Sequence, residues 1–350
     1  MQDQYRTRPV EQGHAWRPWR RLAEAFAVIV GLAVLSPAHA DKPYQYYVVG
    51  NPADASPSQP PREPSALLMG GGPDVDAAFQ WMISRAGGGD FVVIRATGTD
   101  AYNPYIYAMG GVDSVETLII PSRDAANDPF VIDRINKAEA LFIAGGDQSD
   151  YINFWKGTGV EQAINGLIAR KVPIGGTSAG LSVLGQFDFA ALNGTVYSDD
   201  ALNNPYTKRV TLDRGFITAP GLDFVITDAH LDTRDRMGRL VTFLARIVQD
   251  GWSGMARGIG VDVETALAVA GTSATRLGSG SVYFLQTNGL PQVCQPGTPL
   301  TYRNVGVQRL SGSGRFDLLN WRGYGGATTN YNLSADRGTL SSTQTGGAIY

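Results

Sequence analysis

Between residues 66 and 180, short unbroken apolar runs alternate with amphipathic stretches, and three of the runs end in glycine. Ala66-Leu67-Leu68-Met69 closes on Gly70-Gly71-Gly72, residues 140–144 close on Gly145-Gly146-Asp147-Gln148, and Val172-Pro173-Ile174 leads into the glycine-rich segment 175–180. Residues 91–94 are a run of the same kind, and Val115-Glu116-Thr117-Leu118-Ile119-Ile120 is a further buried-strand candidate. Between them Val75, Ala78, Phe79 and Met82 recur at helical spacing, and Val160, Ile164, Leu167 and Ile168 form a second helical stripe. A strand without polar alternation is buried on both faces, and amphipathic helices are what bury it. The pattern therefore predicts an α/β fold, a three-layer sandwich whose central sheet is mostly parallel. In such sheets ligands gather at the carboxyl ends of the strands, where these glycine turns stand.

Outside that region the pattern loosens. Tyr44-Gln45-Tyr46-Tyr47-Val48-Val49 reads as a strand, and residues 51–64 as a proline-rich connector. Phe224-Val225-Ile226-Thr227 reads as a strand running into Asp228-Ala229-His230, followed by a helical stripe of Leu240, Phe243, Leu244, Ile247 and Val248. Residues 258–261, 266–269 and 281–285 read as further strands. The last forty residues are rich in Gly, Ser and Thr, with too little periodicity for helices. The expected divisions are 41–64 for the strand and connector, 65–290 for a catalytic domain, and 291–350 for a β-type extension.

Residues 1–40 carry the marks of a secretory signal peptide. Five arginines (Arg6, Arg8, Arg17, Arg20, Arg21) precede an apolar run over residues 25–35, which ends in Ser36-Pro37-Ala38-His39-Ala40. The run is shorter than the ~20 residues a spanning helix needs. Cleavage near Ala40 predicts an extracytoplasmic protein, periplasmic or secreted, without a stable membrane span. It removes five basic and three acidic residues, taking the net charge from −3 to −5, and leaves His230 as the sole histidine. That charge argues against a nucleic-acid partner. A single cysteine, Cys294, excludes an internal disulfide, and one histidine excludes a multi-histidine metal site.

Gly176-Thr177-Ser178-Ala179-Gly180 fits G-x-S-x-G at a strand-to-helix turn. Such a turn strains the serine backbone and projects its hydroxyl beyond the sheet edge, over a helix N-terminus that favours negative charge. The N–H of Ala179 and one from the Gly145-Gly146 turn, at Gly146, are the expected oxyanion donors. A serine nucleophile needs a base, and His230, directly after a strand, is the only candidate. For the acid, Glu264 follows a strand end with Asp262 and Asp228 nearby, while Asp199, Asp200 and Asp213 lie between serine and histidine. A triad through Glu264 runs Ser, His, acid, unlike the Ser, acid, His order of α/β-hydrolases. Arg236 and Arg239, three apart, share a helix face and can fork onto a carboxylate; pairing with Asp232 and Asp235 is the competing role. Gly70-Gly71-Gly72-Pro73-Asp74 stands where a phosphate could be cradled at a helix start but lacks the Lys-Ser/Thr of a phosphate loop, so it reads as a tight strand-helix turn. Tyr102, Tyr105 and Tyr107 either line the cleft or pack a loop.

Taken together, Gly145-Gly146-Asp147-Gln148, segment 175–180, Asp228-Ala229-His230 with Arg234, Arg236 and Arg239, and Gly258-Ile259-Gly260-Val261-Asp262 with Glu264-Thr265-Ala266-Leu267 resemble the cyanophycinase-like serine peptidases, relatives of the aspartyl dipeptidases. The resemblance spans roughly residues 67–285. It implies a fold like the class I glutamine amidotransferases with serine in place of cysteine, a triad of Ser178, His230 and Glu264, no cofactor, and often a homodimer. It also implies that Gln148, Asp228, Arg234, Arg236 and Arg239 contact or shape a peptide or polymer substrate. Cyanophycinases cleave a polyaspartate carrying arginine on each side-chain carboxyl. Where they have Asp-Gln-His this chain has Asp228-Ala229-His230, which bears on the substrate more than on the reaction. The competing expectations are another β-aspartyl or acidic peptide as substrate, or a silent binding protein on the same scaffold.

Overall fold

The computed structural model describes residues 42–55 and 63–350. The expected signal peptide and the middle of the proline-rich connector lie outside the described residues. The first six strands are β1 (Gln45–Gly50), β2 (Ser65–Met69), β3 (Asp90–Arg95), β4 (Ser114–Ile119), β5 (Ala140–Ile143) and β6 (Ile174–Thr177). The order β4-β3-β5-β6-β2 is parallel throughout, with β1 antiparallel on β4.

Alternation within these strands sorts their side chains onto two faces. Leu67, Met69, Phe91, Val93 and Phe142 pack with Phe79 and Met82 of the helix Asp76–Ala86. Leu68, Val92, Ile94, Leu141 and Ile143 pack on the other face with Val160, Ile164 and Leu167 of the helix Gly159–Ala169. The helices cover both faces because each carries one apolar stripe, as the spacing predicts.

The chain then builds a second sheet from β7 (Phe187–Phe189), β8 (Leu212–Arg214), β9 (Val225–Ala229) and β10 (Arg257–Val261). It returns to the first sheet with β11 (Thr265–Ala270), antiparallel on β2, and β12 (Ser273–Gly278). β13 (Val282–Gln286) and β14 (Tyr302–Ser311) extend the second sheet beyond β10. β15 (Arg315–Asp317) and β16 (Arg322–Tyr324) extend the first beyond β12, while β17 (Ala327–Asp336) and β18 (Thr339–Ser342) finish the second. The molecule is thus α/β with a β-rich C-terminal part.

Two differences from the sequence reading matter for the site. Residues 258–261 and 266–269 belong to different sheets, so Asp262-Val263-Glu264 is a crossing between sheets rather than a turn within one. After Ser178 there is no α-helix, only the 3₁₀ turn Leu181–Val183. Glycine punctuates the chain again at Gly185, where a Cβ would sit 2.5 Å from the Val225 carbonyl oxygen, so the path must pass close against β9. The dipole expected beneath the serine is missing there. The helix Gln148–Trp155, which opens two residues after Gly146 and is capped by Asp147, brings one to the neighbouring strand end.

Candidate active site

Three consecutive carbonyls at the end of β2 gather the expected catalytic residues. The N–H of Ser178 donates to Met69 O (3.0 Å), that of His230 to Gly70 O (2.8 Å) and that of Glu264 to Gly71 O (3.0 Å). Ser178 follows β6, His230 follows β9, and Glu264 lies on the crossing, so one turn joins residues from both sheets. All three have φ near +50°, a region costly for residues with a Cβ. Strained backbone at three residues around one turn marks a functional site more strongly than any one of them alone.

Ser178 Oγ lies 2.8 Å from His230 Nε2. Ser178 is half-buried and His230 is 8% exposed. Burial, and then the charges of Arg234 and Arg236, lower the imidazole pKa to about 4. At neutral pH the ring is therefore uncharged and able to take the serine proton. The acid limb of kcat/KM is expected near pH 4; a limb at the ordinary histidine value of ~6.5 would contradict this environment. Because the folded pKa lies below the unfolded one, this group's contribution to stability is full above ~6.5 and falls as pH drops toward 4.

Gly71 packs directly against the pair. Its φ is +88°, and a Cβ there would sit 2.4 Å from His230 Nε2 and 3.1 Å from Ser178 Cβ. Gly71→Ala is expected to cost at least about a hundredfold in kcat, since a displacement near 1 Å has that effect. Gly72→Ala, also at positive φ but facing Val263, is the control: it should lower the melting temperature while retaining most activity. Equal activity losses in both would contradict a specific role for Gly71.

The Gly145-Gly146 turn borders the serine, a Cβ on Gly145 falling 3.5 Å from Ser178 Cβ. Among the described residues no acceptor meets the N–H of Ala179 or of Gly146. Tyr151, which the motif search missed, supports this turn by donating to Ala144 O at 2.8 Å. Its only sequence signal is the aromatic position on the stripe of the helix that opens at Gln148. Gly180 fits because its Cα lies against β5: a Cβ would be 2.0 Å from Ile143 O.

The remaining predicted residues divide. Glu264 reaches the site through its backbone, but its exposed carboxylate leans on Ser279 Oγ at 3.5 Å and makes no hydrogen bond to His230. The rival acids are engaged elsewhere. Asp213 holds Lys156 at 2.7 Å, Asp200 faces Arg209 at 3.8 Å, and Asp262 accepts the N–H groups of Asp232 and Ser281. Asp199 lies in the helix Ser198–Asn203 and lines a cleft with Asp235 and Gly238.

Arg239 and Asp228 require correction. Both are essentially inaccessible, at 1% exposed, and Arg239 grips Asp228 at 2.8 and 2.5 Å. The remaining guanidinium donors go to Thr195 Oγ1 and Val196 O, with the plane over Phe189 and beside Phe243. The pair ties β9 to the helix Met237–Gln249 and cannot fork onto substrate. Arg236, at the N-cap of that helix, donates Nη1 to Ala229 O (2.8 Å) and is half-buried. Arg234 lies before the helix, exposed and with no side-chain partner among the described residues; neither arginine pairs with Asp232 or Asp235. Gln148 donates to Phe189 O at 3.3 Å, which joins the helix to the second sheet and leaves its amide oxygen free. Cys294 is buried, its pKa pushed up to about 12 by burial, so it is an inert thiol. Among the described residues no acidic, histidine or cysteine cluster is arranged for a metal, and no helix is long and apolar enough to cross a membrane.

A strained serine on a neutral imidazole, beside two unclaimed N–H donors, has the composition of a serine hydrolase site. Comparison with known proteins narrows the class. Residues 111–276 match the model of Peptidase family S51. A cyanophycinase of Trichormus variabilis is 27% identical over 219 residues, 61% of this chain and 68% of its own length. One from Synechococcus elongatus is 27% identical over 214 residues, covering 59% of this chain and 62% of its own. The crystal structure of a peptidase from an acI-B1 actinobacterium covers 74% of this chain and 98% of its own, with a TM-score of 0.50 and 17% identity, a likeness of fold. The chain is a peptidase of serine type, similar to the cyanophycinases.

Proposed function

We propose that the protein is an exported exopeptidase that hydrolyses cyanophycin to β-aspartyl-arginine dipeptides through Ser178, His230 and Glu264. The contact of 2.8 Å between Ser178 Oγ and His230 Nε2 carries this reading. Ser178 Oγ attacks the scissile carbonyl as His230 takes its proton, and the oxyanion enters the space before the N–H groups of Ala179 and Gly146. His230 then returns the proton to the leaving amine, the C–N bond breaks, and water repeats the sequence on the acyl-serine. Glu264 is assigned to hold the far ring nitrogen. Its carboxylate is exposed, and catalytic hydrogen bonds often close only when substrate binds. Arg234, with the free donors of Arg236, is assigned to a substrate carboxylate.

The shared β2 turn and parallel strands support an arrangement like the class I glutamine amidotransferases, with serine in the nucleophile's place. Export rests on the basic and apolar pattern of residues 1–40. Release of β-aspartyl-arginine from purified cyanophycin, with Ser178→Ala as control, tests the whole reading. The second reading, a different β-aspartyl peptide, is favoured by Ala229 where cyanophycinases have glutamine. Turnover of other β-aspartyl dipeptides without turnover of the polymer would decide for it.

A further inference from the structure

A cavity of about 550 Å³ opens on the second sheet, where β13, β14 and β17 lie side by side. It stands at the opposite end of the strands from the catalytic residues. β10 runs from Arg257 to Val261 and delivers the chain to Glu264, whereas Gln286, in the cavity wall, pairs with Arg257 at the far end. None of the lining residues belongs to the site around Ser178.

Six of the lining residues are amides: Gln286, Asn288, Asn304, Gln308, Asn330 and Asn332. Among the described residues lining it there is no Asp, Glu, Lys, Arg or His. The side chains of all four asparagines make no hydrogen bond among the described residues, so each offers a free carbonyl and a free NH₂. Asparagine is depleted in strands, yet β14 and β17 bring three to this one cavity. Asn304 and the buried Trp321, which also lines it, have φ of +62° and +52°, a strained backbone for an aromatic residue. Gln308 holds the Trp321 turn from both sides, donating to Trp321 O at 2.7 Å and accepting from the N–H of Gly323 at 3.0 Å. The glycine between these amides is the most telling residue. Gly306 pairs with Gln286 on one side and Asn332 on the other. Its φ is not positive, and a Cβ there would meet nothing nearer than Gln286 O at 3.8 Å. The bulge of β14 falls earlier, between Tyr302 and Val305. Glycine inside a strand costs stability, and where neither a bulge nor a crowding neighbour requires it, it marks the close approach of a ligand.

The lining selects the class of ligand. An ion would lose its hydration and meet no opposite charge, and an apolar molecule would strand the amides. A hydroxyl both donates and accepts, as an amide does, so a neutral molecule with many hydroxyls satisfies both halves of each asparagine. Phe284 and Trp321 supply an apolar wall for its C–H groups. A peptide strand joins a sheet through an unpaired edge, but β13, β14 and β17 are each paired on both sides. We propose that this cavity binds a neutral saccharide, its ring over Gly306 against Trp321 and Phe284 and its hydroxyls on the asparagines. Saccharide binding here is independent of the bond that Ser178 cleaves.

Calorimetry on the purified chain with maltotetraose, cellotetraose and chitotetraose, and with D-glucose and N-acetyl-D-glucosamine, tests this without catalysis. At least one of these sugars should bind, and Ser178→Ala should bind it as the wild type does. Gly306→Val should weaken binding at least about tenfold by filling the floor, yet melt no lower than wild type, because valine favours strands. Asn330→Ala together with Asn332→Ala should weaken it about tenfold through lost hydrogen bonds. Tighter binding of a tetrasaccharide than of the single sugars identifies a glycan chain as the ligand, and equal affinity a free sugar; either supports the site. Failure of all five sugars to bind the wild-type chain overturns it, as does unchanged affinity in Gly306→Val. Binding of cyanophycin to Ser178→Ala that Gly306→Val abolishes would make the cavity a peptide-holding groove and overturn the saccharide assignment.

Discussion

His230→Ala is expected to lower kcat by about 10⁴-fold, with KM within a few-fold and the fold intact. The imidazole makes one catalytic contact, 2.8 Å from Ser178 Oγ, and no other histidine stands among the described residues to replace it. Ser178→Ala should cost about as much, and the double variant little more, because groups acting in one proton relay are lost together. Additive losses in the double variant would mean that the two side chains serve separate steps. Steady-state kinetics on the three variants decide this.

Asp228→Ala is expected to destabilise the protein by about 3–5 kcal/mol, the usual cost of stranding one member of a buried ion pair. Arg239 would keep its place between Phe189 and Phe243 with a buried charge and no carboxylate. Replacing both members, Asp228→Ala with Arg239→Leu, should recover part of the loss, since the charge of Arg239 leaves with it while that of Arg236, 3.7 Å from Asp228, remains. Denaturant unfolding measures both. If instead Asp228→Ala unfolds at the wild-type midpoint and only raises KM, the pair belongs to substrate binding and not to the join between β9 and its helix.

That pair shows what the sequence alone conveyed and what it obscured. Arg239 stands four residues before Phe243, so it lies on the apolar stripe of its helix, and that position already argued for an inward guanidinium. The three-residue spacing from Arg236 points instead to a shared carboxylate-binding face. β2, β3 and β5 were legible because each is built on an apolar run ended by a turn, β4 less plainly because Glu116 and Thr117 interrupt it, and the serine elbow because only glycine fits where Gly180 meets Ile143 O. The second sheet was not legible as a sheet. β14 and β17 are ten-residue strands mixing Asn, Thr, Gly and Arg, and their burial comes from neighbours distant in sequence. The gathering of Ser178, His230 and Glu264 on three successive carbonyls of residues 69–71 has no local signature. Backbone bonds across two sheets leave no trace in side-chain pattern, although Gly70-Gly71-Gly72 marked the place.

The account turns on whether Ser178 is the group made nucleophilic. Treating the protein with a fluorophosphonate and mapping the adduct by mass spectrometry reads this directly. One adduct per chain on Ser178, formed far more slowly in His230→Ala, is the predicted result. Modification at another residue, or at Ser178 at the same rate without the imidazole, would contradict it.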